Sequence, residues 1–173
     1  MGKTSAAFET SLDELGVTVT TADERTVTAE ITAAITEPAV GVELDETLGA
    51  SAGSLAETPV VVDPTPAALR DATTGVTEAT LGVGDYGSLV LSMTGRASEL
   101  VSLFVNRHVV VVRAADVLPD MDATIQSLHE RFNRAGGSAI VATGPSATAD
   151  MGELVKGAHG PKTVHVIVVE EAE

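Results

Sequence analysis

Four consecutive valines, Val109 to Val112, constrain this chain more than any other segment. A strand built from them presents apolar side chains to both of its faces, so it must be covered on both. Val60-Val61-Val62 and Val164 to Val169 are further apolar runs, and stretches of helical period lie between the runs. Strand and helix patterns alternate along the whole length, which predicts an α/β protein with a mostly parallel sheet. No Ser/Pro linker and no internal repeat divides the sequence, so its 173 residues are expected to form a single domain over 1–173.

The expected elements follow from periodicity and breakers. Residues 1–15 read as a tail, Met1 to Ala7, followed by a helical stretch from Phe8 to Leu15. Val17 to Thr20 alternates like a strand. Thr21 to Ile35 reads as a helix with Thr21 or Asp23 as N-cap and Val27, Ile31, Ala34 and Ile35 on one face. Val40 to Leu44 is an expected strand, Leu48 to Leu55 a short helix, and Pro66 to Ala72 a helix with proline near its start. Gly75 to Val83 and Ser88 to Met93 read as β around a Gly-Asp-Tyr-Gly turn. Ala97 to Val105 is an expected helix. Pro119 to Asn133 carries Met121, Ile125, Leu128 and Phe132 in helical period and stops at Gly136-Gly137. Ala139 to Ala142 and Val164 to Val169 are the last expected strands.

Composition removes several classes of function. Hydrophobic residues make up 44% of the chain, which excludes general disorder. Aromatics are only 2%, too few for a platform that stacks single-stranded bases. The net charge of −15, from 25 acidic and 10 basic residues, repels phosphate backbones and argues against nucleic acid as a partner. Lysine is confined to Lys3, Lys156 and Lys162, and this acidic, lysine-poor, halophile-like balance fits a salt-rich cytoplasm. The chain has no cysteine, hence no disulfide, no thiol nucleophile and no cysteine-ligated cluster of its own. With no secretory signal pattern and no apolar run approaching about 18 residues, a soluble cytoplasmic protein with no membrane span is expected.

Three motif matches fail on context. Gly82-Val83-Gly84-Asp85-Tyr86-Gly87 spells a dinucleotide fingerprint, but Ser88-Leu89-Val90-Leu91 continues as β where a helix should open. Gly49-Ala50-Ser51-Ala52-Gly53 spells a nucleophile elbow without a buried strand before it. Gly2-Lys3-Thr4 lacks the upstream glycine of a phosphate loop. The four histidines, His108, His129, His159 and His165, show no zinc-binding spacing, so no metal site is expected. His129 reads as a surface residue and His165 as structural, while His108 is structural or at the edge of a site.

The stretch from Thr143 to Val169 holds the strongest candidate site. It leaves one apolar strand through Thr143-Gly144-Pro145-Ser146, passes an expected short helix, and enters the last strand through His159-Gly160-Pro161. Ser146, Thr148, Asp150 and His159 crowd the ends of apolar elements, as expected for a site at the carboxyl ends of sheet strands. Asp150 with Glu153 resembles a capping box, with Thr148 or Asp150 as the cap. Free N–H groups there, with Ser146 and Thr148, would cradle a phosphate or carboxylate. His159, on a corner stiffened by Pro161, suits an acid, base or hydrogen-bond donor. Asp150 and His159 are the candidate catalytic residues.

The same stretch resembles the C-terminal signature of the lactate-utilization (LUD) domain family, in particular its lactate utilization protein C branch. The resemblance rests on Gly144-Pro145-Ser146-Ala147-Thr148-Ala149-Asp150-Met151-Gly152 followed by Gly157-Ala158-His159-Gly160-Pro161. Two upstream segments match in order: Val76-Thr77-Glu78-Ala79 through Leu91, and Ser102 through Val111. The motifs thus span residues 75–170. An arginine of the family stands as Ala147 here, its Glu-Thr-Gly-Thr turn as Asp85-Tyr86-Gly87-Ser88, and its Pro-Pro pair as Val105-Asn106. The resemblance implies a three-layer α/β/α architecture of the NagB/RpiA/CoA transferase-like fold. It marks Asp85, Gly87, Ser88, Gly144, Ser146, Thr148, Asp150, His159 and Gly160 as ligand-binding candidates. It further implies a part in oxidising lactate to pyruvate beside iron–sulfur lactate utilization proteins, with any iron–sulfur cluster on those partners and none on this chain.

Three readings of function follow. The first is an accessory or ligand-binding subunit of a lactate utilization system, taking a small anionic metabolite. The second is a free-standing enzyme of the cyclo-ligase or transferase-like fold, acting on a nucleotide- or CoA-bearing substrate. The third is a regulatory binding module without chemistry.

Overall fold

The valine runs become the centre of a parallel sheet. The computed structural model describes residues 3–44, 55–93, 98–150 and 153–171. In chain order the helices are α1 (Lys3–Glu14), α2 (Val27–Ala34), α3 (Pro66–Asp71), α4 (Ser98–Phe104) and α5 (Met121–Ala135). The strands are β1 (Thr18–Ala22), β2 (Ala39–Gly41), β3 (Val60–Val62), β4 (Thr74–Glu78), β5 (Leu81–Val83), β6 (Ser88–Ser92), β7 (Arg107–Arg113), β8 (Val117–Leu118), β9 (Ala139–Thr143), β10 (Ala147–Asp150), β11 (Glu153–Lys156) and β12 (Thr163–Val169). A six-stranded sheet runs in the order β1-β12-β7-β4-β2-β3, parallel throughout.

Register assigns the side chains to two faces. Val109, Val111, Ile167 and Val169 face α2, where they pack with Val27 and Ile31. Val110, Val112, Val166 and Val168 face the other way, onto Phe8 and Leu12 of α1 and onto Leu89 and Leu91 of β6. Val109 to Val112 are all fully buried, as a strand covered on both faces requires. On this second face α3 and α4 cover β2 and β4 through Ala72, Val101 and Val105. Gly75 permits that approach, since a Cβ there would lie 2.5 Å from the Val101 carbonyl oxygen. A smaller mixed sheet, β8-β5-β6-β9, stacks beside α1, and α5 covers its outer side through Leu128. The whole is a three-layer α/β/α arrangement with this second sheet added.

Several expected elements differ. Helix α1 starts at Lys3, so most of the expected tail is helical. Phe8 and Leu12, one turn apart and fully buried, anchor it. The helix expected from Thr21 starts only at Val27, because Thr18–Ala22 pairs with β12 as a sixth strand. Asp23 shapes the turn between them, accepting from the Arg25 and Thr26 backbone N–H groups at 2.9 and 2.8 Å. β2 spans only Ala39–Gly41 instead of reaching Leu44. The run Gly75 to Val83 is two strands belonging to different sheets. Ile125, expected on the core face of α5, is 55% exposed, and Thr124 is buried in its place, its hydroxyl donating to the Asp120 carbonyl. Residues 48–54 of the expected short helix, and the whole Gly49–Gly53 motif, lie outside the described residues.

The largest difference concerns the segment after Thr143. Among the described residues of 147–156 no helix forms; β10 and β11 pair antiparallel, with Asp150 opposite Glu153. Thr148 pairs with Val155 in the ladder, so neither Thr148 nor Asp150 caps a helix. The hairpin is fastened at its base, where the Gly157 N–H donates to the Ser146 carbonyl and the Ser146 N–H to the Pro161 carbonyl, both at 2.9 Å.

Candidate functional site

Between the second sheet, α4 and the hairpin lies a cleft of about 790 Å³. Its floor is formed by the start of two central strands, through His108 of β7 and Val164 of β12, with Leu89 and Leu91 of β6 beside them. Its rim carries Ser146, Thr148, Lys156 and His159. The cleft thus lies at the amino ends of β7 and β12, with the carboxyl ends of β9 and β11 beside it. The cleft that gathers most of the candidates is therefore not at the carboxyl ends of the central sheet, where the sequence leads one to expect a site. At those ends, next to β1 and β12, a second depression is lined by Asp23, Arg25 and Glu170. There both Asp23 oxygens are engaged by Arg25 and Thr26, and the Thr26 hydroxyl foremost holds this carboxylate below its usual range.

The sequence-derived candidates divide into groups. Gly144, Ser146, Thr148, His159 and Gly160 line the cleft. His159 is exposed on a corner tied to β7, because the N–H groups of Lys162 and Thr163 both donate to the Asn106 carbonyl. Asp150 ends β10. Gly87 and Ser88 stand behind the wall. Ser88 is buried and meets the Thr143 hydroxyl at 2.7 Å, Thr143 itself lining the cleft. Gly87 and Gly144, at φ of 60° and 64°, turn tightly against the end of α1 and Leu15 just after it, where a side chain would strain the backbone and crowd the Ser11–Leu12 backbone at Gly87 and the leucine at both. Asp85 is exposed on the turn between β5 and β6, which is a hairpin and opens no helix. The turns 84–87 and 144–146 therefore adjoin, joined through the β6–β9 ladder.

Sequence reasoning left His108 open and missed Lys156, Leu15 and Leu103. His108 is buried on the cleft floor, and its Nε2 lies 2.8 Å from the Thr77 hydroxyl. Burial away from water lowers its pKa to about 4, so the ring is neutral at pH 7. The available signal was a polar residue opening the most apolar strand of the chain. His165 is structural: Nε2 meets the Thr20 hydroxyl at 2.9 Å and Nδ1 the Arg107 guanidinium at 3.3 Å. Desolvation, then the nearby Arg107 charge, lowers its pKa. His129 is exposed, bonded to Asn133 one turn on. Among the described residues no group of three or more His, Asp or Glu side chains gathers around a common point to hold a metal.

Fold and cleft together define an α/β protein whose central parallel sheet is flanked by helices and carries a concave site at one end. The chain belongs to the LUD domain family, whose model matches residues 2–169. It is 29% identical over 122 residues to the uncharacterized protein YkgG of Escherichia coli K12, covering 65% of this chain and 52% of that protein. The chain therefore spans about half the length of this curated relative. Its fold is that of a DUF162 family protein from Deinococcus radiodurans, with a TM-score of 0.72 at 19% identity, covering 96% of each chain. No described helix is long and apolar enough to cross a membrane.

Proposed function

We propose that this chain is an accessory, ligand-binding subunit of a lactate utilization system, working beside iron–sulfur partner proteins in the cytoplasm. The observation that carries this reading is the make-up of one rim. In a chain of net charge −15 with only three lysines, Lys156 and His159 line the cleft mouth and Lys162 packs beside Gly157 at its base. Two of the chain's three lysines gathered at one cleft of an acidic molecule, with His159 as a further hydrogen-bonding group, favour a small anionic metabolite. The same rim is apolar and open: Leu103, Val141 and Leu154 line the cleft yet are 43, 44 and 67% exposed, and Phe104 next to them is 68% exposed. Exposed apolar side chains clustered around a cleft are characteristic of an assembly surface. A chain without cysteine leaves any cysteine-ligated cluster to its partners.

Affinity capture of the tagged chain from its native cells, with mass spectrometry, tests the assembly. Recovery of a cysteine-rich iron–sulfur protein is expected, and its loss on Phe104→Glu. Capture of no such protein under native salt counts against the reading. Ligand-shift melting with lactate, pyruvate, nucleotides and coenzyme A tests the site. A cleft of about 790 Å³ also exceeds what lactate fills, which favours, as a second reading, an enzyme acting on a larger nucleotide- or CoA-bearing substrate. A shift with coenzyme A and none with lactate or pyruvate selects that reading.

A further inference from the structure

We propose that His108 is the buried recognition residue of the cleft, and that the cleft takes an amphiphilic carboxylate whose apolar body ends in an uncharged hydrogen-bonding group. This rests on the reading of the cleft as a site for an anionic ligand and adds what lies at its inner end. His108 lines the cleft while only 3% exposed, so it belongs to the floor, whereas Lys156 and His159 stand exposed at the mouth. Its one side-chain hydrogen bond among the described residues runs from Nε2 to Thr77, a fully buried threonine on the neighbouring strand β4. That bond fixes the ring plane and leaves Nδ1 for a ligand.

The chemistry of the two ends differs. The imidazole on the floor is neutral at pH 7, and the walls around it are the side chains of Leu89, Leu91 and Val164. A carboxylate placed there would lose its water with no cation beside it, a cost that excludes it. A hydroxyl or carbonyl needs only one partner, and neutral imidazole supplies an acceptor or a donor at Nδ1 according to tautomer. The carboxylate instead lies at the mouth, where the Lys156 ammonium and a ring N–H of His159 meet it, beside Glu14, the one acidic side chain of the described lining. Between the ends the lining is apolar and aliphatic, which suits a flexible hydrocarbon body.

Calorimetry with two probes, decanoate and ω-hydroxydecanoate, tests this on the full chain at neutral pH, together with ¹⁵N spectra of the imidazole-labelled protein. One added buried hydrogen bond predicts that the hydroxy acid binds about tenfold more tightly than decanoate. It also predicts that the hydroxy acid alone moves the His108 Nδ1 resonance, and that the preference disappears in His108→Ala. Equal binding of the two acids, or a His108 ring unmoved by either, overturns the role of His108 while leaving the cleft as an anion site. Absence of binding by either acid also overturns it. If lactate and pyruvate then still shift the His159 ring, the cleft reading stands; if nothing binds, both fall. Should His108→Ala fail to fold, the wild-type spectra decide alone.

Discussion

Ser88 and Thr143 share a hydroxyl–hydroxyl hydrogen bond of 2.7 Å across the β6–β9 ladder, and it joins the two turns in which the family motifs are written. The pair is asymmetric, because Ser88 is 1% exposed while Thr143 reaches solvent. Removing the exposed partner strands the buried one. Thr143→Val is therefore expected to cost about 1–3 kcal/mol, and Ser88→Ala only about 0.5–1.5, since Thr143 then bonds water. Urea unfolding of the two variants measures the difference; a larger loss for Ser88→Ala contradicts it.

Gly75 should tolerate no side chain. The nearest atom to a Cβ there is a backbone oxygen, which cannot rotate away. Gly75→Val is expected to destabilise the protein by about 1–3 kcal/mol or more, lifting α4 from β4. Because α4 contributes Leu103 to the cleft, ligand-shift melting should weaken as well. An unchanged unfolding midpoint would show that α4 moves freely over the sheet.

Acid should weaken the fold through His108. Its folded pKa of about 4 lies below the unfolded value of 6.5, so the unfolded chain binds the extra proton first. Stability then falls as pH drops from 6.5 toward 4 and this contribution levels off below that, with a total of about 3 kcal/mol for a fully buried ring. His165, also lowered, acts in the same direction. The slope of unfolding free energy against pH in this window should flatten in His108→Gln. A slope identical to wild type assigns the acid sensitivity to carboxylates.

The Lys156–His159 rim can be removed without touching the core. Lys156→Ala and His159→Ala change exposed side chains, so stability should stay within about 0.5 kcal/mol. Melting shifts with pyruvate or lactate should shrink in both variants, and together more than singly. Ala substitutions that unfold the protein would mark these residues as structural instead.

Salt should raise the melting temperature. A net charge of −15 is self-repelling, and screening shortens the range of repulsion from about 10 Å at 0.1 M to about 3 Å at 1 M. Melting in low salt and in molar KCl gives the comparison, and equal temperatures would show that the acidic side chains are spaced widely enough not to interact.

The parallel sheet was legible in Val109 to Val112 and Val164 to Val169, because burial on both faces leaves a continuous apolar run. Thr18–Ala22 was only partly legible. Its strand state is enforced by β12, some 145 residues away, as in the Thr20–His165 contact, and local preference carries no trace of such a partner. Asp150 and Glu153 satisfy the spacing of a helix start, yet Thr148 and Val155 meet across a hairpin. A capping box and an antiparallel pair can be written with the same letters. In the site, Ser146, Thr148 and His159 were found because they are polar residues at element ends. His108 remained undecided because its exposure to the cleft depends on Leu89, Leu91 and Leu103, which come from other elements.

The placement of β12 between β1 and β7 bears on how the molecule is made. Residues 18–22 are made about 140 residues before β12, their neighbour in the sheet among the described residues. Until that strand is made β7 lacks one of its two flanking strands, and one edge of its backbone is without its parallel partner. The nascent chain must carry its most apolar strand half-paired from the completion of β7 until β12 emerges, about 50 residues later. Such long-range closure slows folding and prolongs the interval in which a chaperone has something to hold.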